Sequence, residues 1–296
     1  MELRNLTTFI HVAELGSFSK TAEMLGYSQS TISFQIKQLE EELGCLLFDR
    51  INHTVRLTER GHQLISCAHQ IRTLTEEFKD SLRNGSECSG HIHIVAPDSV
   101  CEELIHKHYI GFHSRYPSIS LKFTPADTSV MVEMLDRNEA DLIITLDSHM
   151  YRNDYVIAKE EPLTMHFVAG SSSAYAGRKG LSIHDIAQEP FVLTEYGQGY
   201  RRVLDKELAK CSLEIVPVLE IGRTDMITSV LCQSNMISFL PDFVTASRVR
   251  SGELCYLDVC DIDIAIYKQL IYHKNKWLSR SMKIFIDYLK QTQFSV

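Results

Sequence analysis

Residues 16–44 read GSFSKTAEMLGYSQSTISFQIKQLEEELG, which contains two short helical patterns separated by a glycine. Ser17 and Ser28 stand just before the two patterns, where a serine hydroxyl can accept a hydrogen bond from a free backbone N–H. Gly26 supplies a tight turn between them, so the stretch predicts a helix-turn-helix. In the second pattern the apolar residues recur at steps of four, three and four and share one helix face: Ile32, Ile36, Leu39 and Leu43.

The neighbouring residues extend this pair into a winged domain. Upstream, an apolar pattern of helical spacing ends at Gly16; it comprises Leu6, Phe9, Ile10 and Ala13. Downstream, residues 46–48 and 54–57 have the composition of two short strands around a polar turn at Asn52 and His53. The first sixty residues therefore predict three helices followed by a two-stranded wing.

A longer helix is predicted after Thr58, its expected N-cap. Its inner residues form two interlocking series with seven-residue spacing: Leu64, Ile71 and Phe78, and Ala68, Thr75 and Leu82. A face of this kind needs a partner, which is either the rest of this chain or a second copy. Pairing with a second copy is favoured, because residues 84–90 form a polar Gly/Ser linker after the helix.

After residue 90, strand and helix patterns alternate, which predicts an α/β domain with a largely parallel sheet. The predicted strands are 92–96, 119–124, 141–146, 164–169, 190–194, 216–220, 236–240 and 264–273. The predicted helices are 100–115, 128–138, 199–210, 223–233 and 279–290.

The helix-turn-helix stretch resembles LysR-type transcriptional regulators. The resemblance continues at the family's spacing through Leu47-Phe48-Asp49-Arg50 and Leu57-Thr58-Glu59-Arg60-Gly61. It departs from the family pattern at Thr21, Ser30 and Phe34, where Ala, Pro and a polar residue are common. Beyond residue 90 the resemblance is looser and rests on residues 90–94, 116–121, 140–144, 240–241 and 278–285, with Asn235-Met236 where the family often has Gly.

This resemblance implies a sequence-specific DNA-binding regulator controlled by a small-molecule effector. It implies a winged helix-turn-helix domain at 1–58, a linker and dimerisation helix at 59–88, and an effector-binding domain at 89–296. The last of these would resemble periplasmic binding proteins, with the effector in a cleft between two α/β subdomains, 91–161 with 267–296 and 162–266. The working form would be a homodimer through residues 59–88, and a homotetramer built as a dimer of dimers.

The outer face of the second helix in the motif has residues suited to reading DNA. Gln can bond an adenine edge with both amide atoms, Ser can bond bases or phosphates, and an exposed Phe can touch a thymine methyl. Recognition helices also insert their N-terminal residues into the major groove. With basic residues beside the wing, the candidate DNA-binding residues are Ser28, Gln29, Ser30, Ser33, Phe34, Lys37, Arg50 and Arg56.

Candidate effector contacts come from loops that follow predicted strands and open helices. In α/β sheets, ligands bind beyond the carboxyl ends of the strands. Hydroxyls and free N–H groups at several helix starts suit a small polar or anionic molecule. The candidates are Ser99, Val100, Thr128, Ser129, Gly199, Tyr200, Arg201 and Thr224. Arg202 is an alternative to Arg201 for binding a carboxylate, and the Ser and Thr residues could instead be simple N-caps.

The charge balance limits the kind of DNA binding to expect. The chain has 30 Lys and Arg against 38 Asp and Glu, a formal charge of −8. Residues 1–90 hold 9 basic and 12 acidic residues, yet residues 28–37 contain Lys37 and no acid. We therefore expect weak non-specific binding, with selectivity from local contacts and from several domains binding at once.

The sequence also limits which cellular compartment and which kinds of chemistry we expect for this protein. The chain shows no secretion signal and no apolar run long enough to span a membrane, so we expect a cytoplasmic protein without a membrane partner. Its eight cysteines include no C-x-x-C pair, which predicts reduced thiols. Because no catalytic or dinucleotide-binding signature is present, we predict neither an enzyme nor a cofactor.

Three alternatives are weaker. The histidines His91, His93, His106, His108 and His113 lack a Cys or carboxylate that completes a metal-ligand set, so no metal site is predicted. Cys211 could make the protein a redox-sensing regulator, although no second Cys lies at short spacing. A solute-binding protein without a DNA role would share the C-terminal architecture, but the helix-turn-helix argues against it.

Overall fold

The computed structural model describes residues 1–51, 54–83 and 88–294, and places a winged helical domain before an α/β domain. The first elements are α1 (Leu3–Leu15), α2 (Phe18–Leu25), α3 (Gln29–Leu43), β1 (Phe48–Ile51), β2 (Thr54–Leu57) and α4 (Glu59–Arg83). Strands β1 and β2 pair antiparallel, with Asp49 opposite Arg56. The strand predicted at 54–57 is confirmed as β2, whereas the strand predicted at 46–48 overlaps β1 only at Phe48. The turn at Asn52 and His53 lies outside the described residues.

The helices of the motif begin and end at the residues that the sequence indicates. Ser17 Oγ accepts the N–H of Lys20 at 3.3 Å, and Ser28 Oγ accepts the N–H of Thr31 at 3.1 Å. The helices end in the left-handed backbone conformation that glycine tolerates best, at Gly16, Gly26 and Gly44. Ile32, Ile36 and Leu39 are fully buried, whereas Leu43 is 41% exposed because α3 extends beyond the core at this end.

Helix α4 uses its apolar stripe in two ways. Its first half packs on α1, and Leu64, Ile65, Ala68 and Ile71 belong to the core of the winged domain. Its second half leaves that core, with Leu74 39% and Phe78 64% exposed. The first half of the stripe therefore packs within this chain, and the second half exposes apolar side chains. The side chain of Leu82 and linker residues 84–87 lie outside the described residues.

The α/β domain contains two sheets that correspond to two subdomains. Its elements in chain order are β3 (Gly90–Ala96), α5 (Asp98–Leu104), a π-helical turn (Ile105–Tyr109), α6 (Ile110–Arg115), β4 (Ile119–Pro125), α7 (Thr128–Asp136), β5 (Leu142–Asp147), β6 (Tyr155–Leu163), β7 (Met165–Gly170), α8 (Ile183–Ile186), β8 (Val192–Leu193), α9 (Gly199–Lys210), β9 (Leu219–Glu220), α10 (Thr224–Leu231), β10 (Ile237–Pro241), α11 (Asp242–Arg250), β11 (Leu254–Leu257), β12 (Ile266–His273) and α12 (Arg280–Thr292). The first sheet has the order β4-β3-β5-β12-β6, and the second has the order β10-β7-β11 with the short pair β8-β9 nearby.

The expectation of a largely parallel sheet is wrong. Strands β3, β4 and β5 are parallel, but β12 runs antiparallel to both β5 and β6. In the second sheet, β10 and β11 are both antiparallel to β7. The reason is topological: the chain leaves the first sheet along β6 and returns along β12, and strands joined in this way need no helical crossover.

Local strand and helix predictions differ from the structure mainly where the backbone changes course. The helix predicted at 100–115 is α5 and α6 joined by the π-helical turn, and the strands predicted at 190–194 and 216–220 are only two residues long each. Four elements were not predicted: β6, α8, α11 and β11. Within the described residues, every helix is too short or too polar to cross a membrane.

Candidate DNA-binding face and effector cleft

Helix α3 presents a polar face with one large apolar side chain on it. Gln29, Ser30 and Lys37 are exposed, Ser33 is half-buried, and Phe34 is 65% exposed. Ser28 Oγ lies 2.8 Å from the hydroxyls of Ser30 and Thr31, so part of this face is already organised by the helix cap. The structure thus brings six of the eight candidate DNA-binding residues onto one helix and its cap.

The face is held in place from behind by buried polar contacts. Thr8 Oγ1 donates to Gln35 Oε1 at 2.6 Å in the interior between α1 and α3. Asn5 Nδ2 donates to Gln38 Oε1 at 3.1 Å at the edge of the same contact. Buried hydrogen bonds of this kind specify one helix arrangement, because any other leaves a polar group unpaired. Helix α3 is therefore a rigid support for its outer side chains.

Basic side chains near this face are available for phosphate. Lys37 Nζ lies 3.5 Å from Glu41 Oε1, but both side chains are well exposed, and exposed pairs contribute at most about 1 kcal/mol. Arg56 is exposed on β2 of the wing. Arg50 lies on β1 opposite Val55, and its side chain is outside the described residues.

The two subdomains enclose a small cavity at the carboxyl ends of four strands. Its volume is about 290 Å³, and it lies where β3, β4, β8 and β9 end. That position agrees with the general location of ligands in α/β sheets. The wall residues are Asp98, Pro125, Ala126, Asp127, Glu195, Tyr196, Gln198, Gly222 and Arg223.

The predicted effector residues lie next to this wall. Ser99, Thr128, Gly199 and Thr224 each directly follow a wall residue and are themselves buried, at the first or second position of a helix. At α7, α9 and α10 the N-cap residue lines the cavity, and at α5 the first helical residue, Asp98, does so. No pattern in the sequence distinguishes the residue that lines the cavity from its buried neighbour, because this depends on how the two subdomains meet.

The other four candidates are occupied by structural contacts. Val100 is fully buried in the core, and Ser129 bonds its hydroxyl to Asp127 Oδ1 at 2.6 Å. Tyr200 is 3% exposed, and this burial raises the pKa of its phenol. Arg201 is also buried, and its guanidinium bonds the Asp205 carboxylate and the carbonyl of Thr194. Its positive charge is therefore engaged inside the second subdomain.

Arg202, the alternative to Arg201, connects the two subdomains. It donates to Asp147 Oδ2 at 2.7 Å, and Thr128 Oγ1 donates to the same oxygen at 3.1 Å. Gly199 makes this approach possible, because a Cβ there would lie 2.3 Å from the carbonyl oxygen of Leu146. A polar contact between α9 and the end of β5 thus closes one side of the cleft.

The cavity wall carries more negative than positive charge. Asp98 and Asp127 come from the first subdomain, and Glu195 comes from the second. Burial raises the pKa of Asp127, but hydrogen bonds from Ser129 and Val130 outweigh it and leave that pKa below its usual value. Arg223 is held by Asp225 at 3.1 and 2.7 Å. Both side chains are exposed, so this pair is weak and the guanidinium remains available on the cavity wall.

A second, larger space of about 1330 Å³ separates the winged domain from the first subdomain. Arg56, His69 and Arg72 line one side of it, and His93 and Lys276 line the other. Asn138 Nδ2 crosses it to bond the carbonyl of Ser66 at 3.3 Å. Because this space lies between domains and away from the carboxyl ends of the strands, it does not have the placement of an effector site.

The residues considered for a metal site or a redox role include His91, His93 and Cys211. Within the ranges described, no group of three or more possible ligands could hold a metal ion. His93 bonds the carbonyl of Glu139 at 2.6 Å and the hydroxyl of Thr124 at 2.8 Å, and His91 bonds Ser120 at 2.9 Å. These two histidines therefore connect parts of the first sheet. Cys211 follows α9 as a half-buried free thiol.

Two family models match the chain. The model described as bacterial regulatory helix-turn-helix protein, lysR family, covers residues 3–62, and the LysR substrate binding domain model covers residues 85–293. The chain is 31% identical over 294 residues to YwqM of Bacillus subtilis, an uncharacterized HTH-type transcriptional regulator, covering 99% of each chain. It is 31% identical over 206 residues to the transcriptional activator IlvY of Salmonella typhimurium, covering 69% of this chain and 70% of the relative.

Solved structures share the fold across the whole chain. A full-length OxyR variant from Pseudomonas aeruginosa superposes with a TM-score of 0.73 at 17% identity, covering 100% of this chain and 96% of the other. Full-length CbnR in complex with its target DNA superposes with a TM-score of 0.62 at 18% identity, covering 100% of both. The order of a helix-turn-helix, a long helix and a two-subdomain α/β domain is therefore common to these proteins.

Proposed function

Because this chain belongs to the LysR family of DNA-binding transcriptional regulators, we propose which of its surfaces perform the two parts of that function. The exposed face of α3 reads operator DNA, and the cleft between the α/β subdomains binds the small-molecule effector. The observation that carries the first part is Phe34, an aromatic side chain 65% exposed on an otherwise polar recognition face. Large apolar side chains placed in this way usually mark a binding surface.

On DNA, the N-terminal end of α3 enters the major groove. Gln29 is placed to bond a base edge with its amide, and Phe34 to touch a thymine methyl. Lys37 and the wing residues Arg50 and Arg56 supply contacts to the sugar-phosphate backbone, which orient the domain without selecting a sequence. The surface through which one winged domain contacts DNA is small, so specificity depends on several copies binding one operator.

The effector acts by shifting the balance between arrangements of the two subdomains. Strands β6 and β12 pair side by side in the first sheet and carry the chain to and from the second, so they form the connection about which the cleft opens. An effector that binds the closed cleft more tightly than the open one favours closure. Closure changes the relative position of the winged domains in the oligomer and so the fit to DNA.

The dimer contact is placed on α4. Leu74 and Phe78 lie four residues apart on one helix face and continue beyond the core of the winged domain. A second α4 packed on this face would cover both side chains.

The proposed role of the protein is that of a regulator without catalytic turnover. This role requires the protein to be in the cytoplasm, where operator DNA lies.

The DNA-reading proposal is tested with the Gln29→Ala variant. Operator sequences are first selected from random duplexes with the full-length protein, and affinities are then measured by fluorescence anisotropy. Loss of one bidentate contact should cost about 1–3 kcal/mol on the selected sequence and leave binding to random DNA unchanged. Gln188→Ala, at an exposed glutamine of the second subdomain, is the matched control. Equal affinity of Gln29→Ala and the control for the selected sequence would remove Gln29 from the reading face.

A further inference from the structure

We infer that Asn138 is a positioning residue, whose side-chain amide fixes helix α4 on the first subdomain and so sets the orientation of the winged domain. The inference rests on the proposed function, since it takes the winged domain as the part that reads DNA. It deepens that function by naming a contact through which the α/β domain controls the spacing of winged domains on an operator.

Two hydrogen bonds, one helical turn apart, join α4 to the first subdomain. Asn138 Nδ2 donates to the carbonyl of Ser66 at 3.3 Å, and Gln70 Nε2 donates to the carbonyl of Asn275 at 3.3 Å. Ser66 and Gln70 are four residues apart, so they lie on the same face of α4. The two bonds therefore hold one face of the helix against two separate loops of the subdomain.

The backbone at Asn138 determines where its amide starts. Its φ of 57° lies in the left-handed region, which Asn tolerates better than most residues other than Gly. This conformation follows the end of α7, where the N–H groups of Glu139 and Ala140 both donate to the carbonyl of Met134, at 2.8 and 3.1 Å. The side chain of Asn138 therefore leaves a turn that is held by backbone hydrogen bonds.

Lys276 fixes the other end of the same amide. Its ammonium group donates to Asn138 Oδ1 at 2.6 Å and pairs with Asp141 Oδ1 at 2.6 Å, and its side chain is only 9% exposed. Asp141 is itself tied to the first sheet, since its Oδ2 accepts the N–H of His93 at 2.7 Å. Because an ammonium group only donates and a carbonyl only accepts, the amide oxygen must face Lys276 and the amide nitrogen must face Ser66. The amide therefore has one orientation.

The residues that hold α4 lie at the ends of the strands that connect the two subdomains. Asn275 and Lys276 follow the end of β12, and the N–H of Lys274 donates at 2.8 Å to the carbonyl of Asp154, the residue before β6. The chain leaves the first sheet along β6 and returns to it along β12. A change in the angle between the subdomains therefore reaches this turn and, through the two hydrogen bonds, reaches α4.

The part of α4 that is held here belongs to the winged domain. Ile65, Ala68 and Ile71, from the same turns of the helix, lie in the core of that domain, so this half of α4 moves with it. Winged domains that read two half-sites must be held at the distance between the half-sites, which makes this distance a geometric property of the protein. The amide of Asn138 therefore helps to determine which spacing of half-sites fits.

The test compares DNA duplexes that bear one or two copies of the half-site. Operator sequences are selected with the full-length protein, and affinities are measured by fluorescence anisotropy. One half-site is then moved away from the other by single base pairs over half a helical turn, about five base pairs. The parent protein should bind one of these spacings most tightly.

The Asn138→Gly variant removes the amide at a φ that Gly adopts freely. Through loss of the hydrogen bonds, it should bind the best two-site duplex at least about fivefold more weakly than the parent and should discriminate less among the spacings. Its affinity for the one-site duplex should stay within about twofold of the parent value, because the reading face is untouched.

Two further variants separate this role from a general effect on the fold. The carboxylate of Asn138→Asp still accepts from Lys276 but has no donor for Ser66, so this variant should behave as Asn138→Gly does. Ser212→Gly is the matched control, since Ser212 also has a left-handed φ, of 56°, and is exposed in the second subdomain. It should bind every duplex as the parent does, and the melting temperature of each variant shows whether it is folded.

Either of two results would overturn the inference. One is a spacing preference in Asn138→Gly that equals that of the parent and of Ser212→Gly. The other is an equal loss of affinity for one-site and two-site duplexes, which would show damage to the reading face itself. Failure of the parent protein to select any DNA sequence would instead reject the proposed function. Selective binding by the parent without a preferred spacing would reject only the role of Asn138.

Discussion

Phe34 illustrates how a single residue separates folding from function. Its side chain is 65% exposed on α3, so it contributes little to the core beneath, which is formed by Ile32, Ile36 and Leu39. An aromatic ring in water has a free-energy cost that burial would recover. At the residue scale, then, stability and DNA binding should respond differently to its removal.

Phe34→Ala should leave the free energy of unfolding within about 0.5 kcal/mol of the parent value, because exposed positions carry few packing contacts. It should weaken binding to selected operator DNA by about 1 kcal/mol, or about fivefold, through loss of apolar contact. Urea unfolding and fluorescence anisotropy measure the two quantities. A large loss of stability would show that Phe34 packs in the fold and would withdraw it from the DNA face.

His93 carries a pH dependence that can be derived from its contacts. The carbonyl of Glu139 can only accept, so Nδ1 carries the hydrogen at 2.6 Å, and Nε2 then accepts from the Thr124 hydroxyl at 2.8 Å. This pattern suits the neutral ring, and burial lowers the pKa of His93 below 6.5. The unfolded chain therefore binds the proton at higher pH than the folded one, and stability falls as pH decreases through about 6.5 and below.

The His93→Gln variant should lose part of this pH dependence. The difference in urea midpoint between pH 7.5 and pH 5.5, followed by circular dichroism, should be smaller than in the parent. His184→Gln, at an exposed histidine, is the matched control. An unchanged difference in His93→Gln would mean that other groups, such as His69 and His108, whose pKa values are also lowered by burial, carry the effect.

The elements show where sequence patterns suffice and where they do not. Helices α2 and α3 were predictable because local signals agree: Ser17 and Ser28 cap them, and Gly26 and Gly44 end them. Strand β6 was missed because half-buried residues along it produce no alternating pattern. For the cavity proposed to bind the effector, the sequence indicated only the loops, since whether Asp98 or Ser99 faces the cavity depends on how two subdomains meet, a long-range property.

Gly61 shows a close approach between two elements that the sequence pattern alone does not explain. It lies in the first turn of α4, where a Cβ would be 2.3 Å from the carbonyl oxygen of Leu47 and 2.8 Å from Leu57 Cδ2. The Leu47 backbone cannot easily move, because its N–H is bonded to Glu40 and its carbonyl to the N–H of Thr58. Glycine therefore lets α4 start directly against the wing.

Gly61→Ala should destabilise the protein by about 1–3 kcal/mol, since an added methyl group forces a backbone shift. Operator affinity should fall as well, because the wing moves relative to α3. Gly111→Ala is the comparison in another helix, where the added Cβ meets only the hydroxyl of Tyr288 at 2.9 Å. Similar losses in unfolding free energy for both variants would mean that the contact with Leu47 is not the cause.

At the scale of the whole molecule, the formal charge of −8 requires that DNA binding come from placement and number of contacts. Lys37, Arg50 and Arg56 are too few to give strong electrostatic attraction from one winged domain. Two domains held together gain affinity because the second binds as an intramolecular event. Dimerisation is therefore a condition for useful affinity, and in the proposed dimer it uses the apolar side chains that α4 exposes, Leu74 and Phe78.

Phe78→Glu should shift the protein toward monomer, because it introduces a charge at a side chain that is 64% exposed on the distal half of α4. Sedimentation velocity should show at least about tenfold weaker association, or about 1.4 kcal/mol. Operator affinity should fall by more than it does when a DNA-contacting residue is substituted. Raising the protein concentration should restore operator binding. Gln63→Glu, exposed about 22 Å away at the start of the same helix, is the control. If Phe78→Glu associates as tightly as Gln63→Glu, the α/β domains carry the dimer, and α4 serves only to space the winged domain from them.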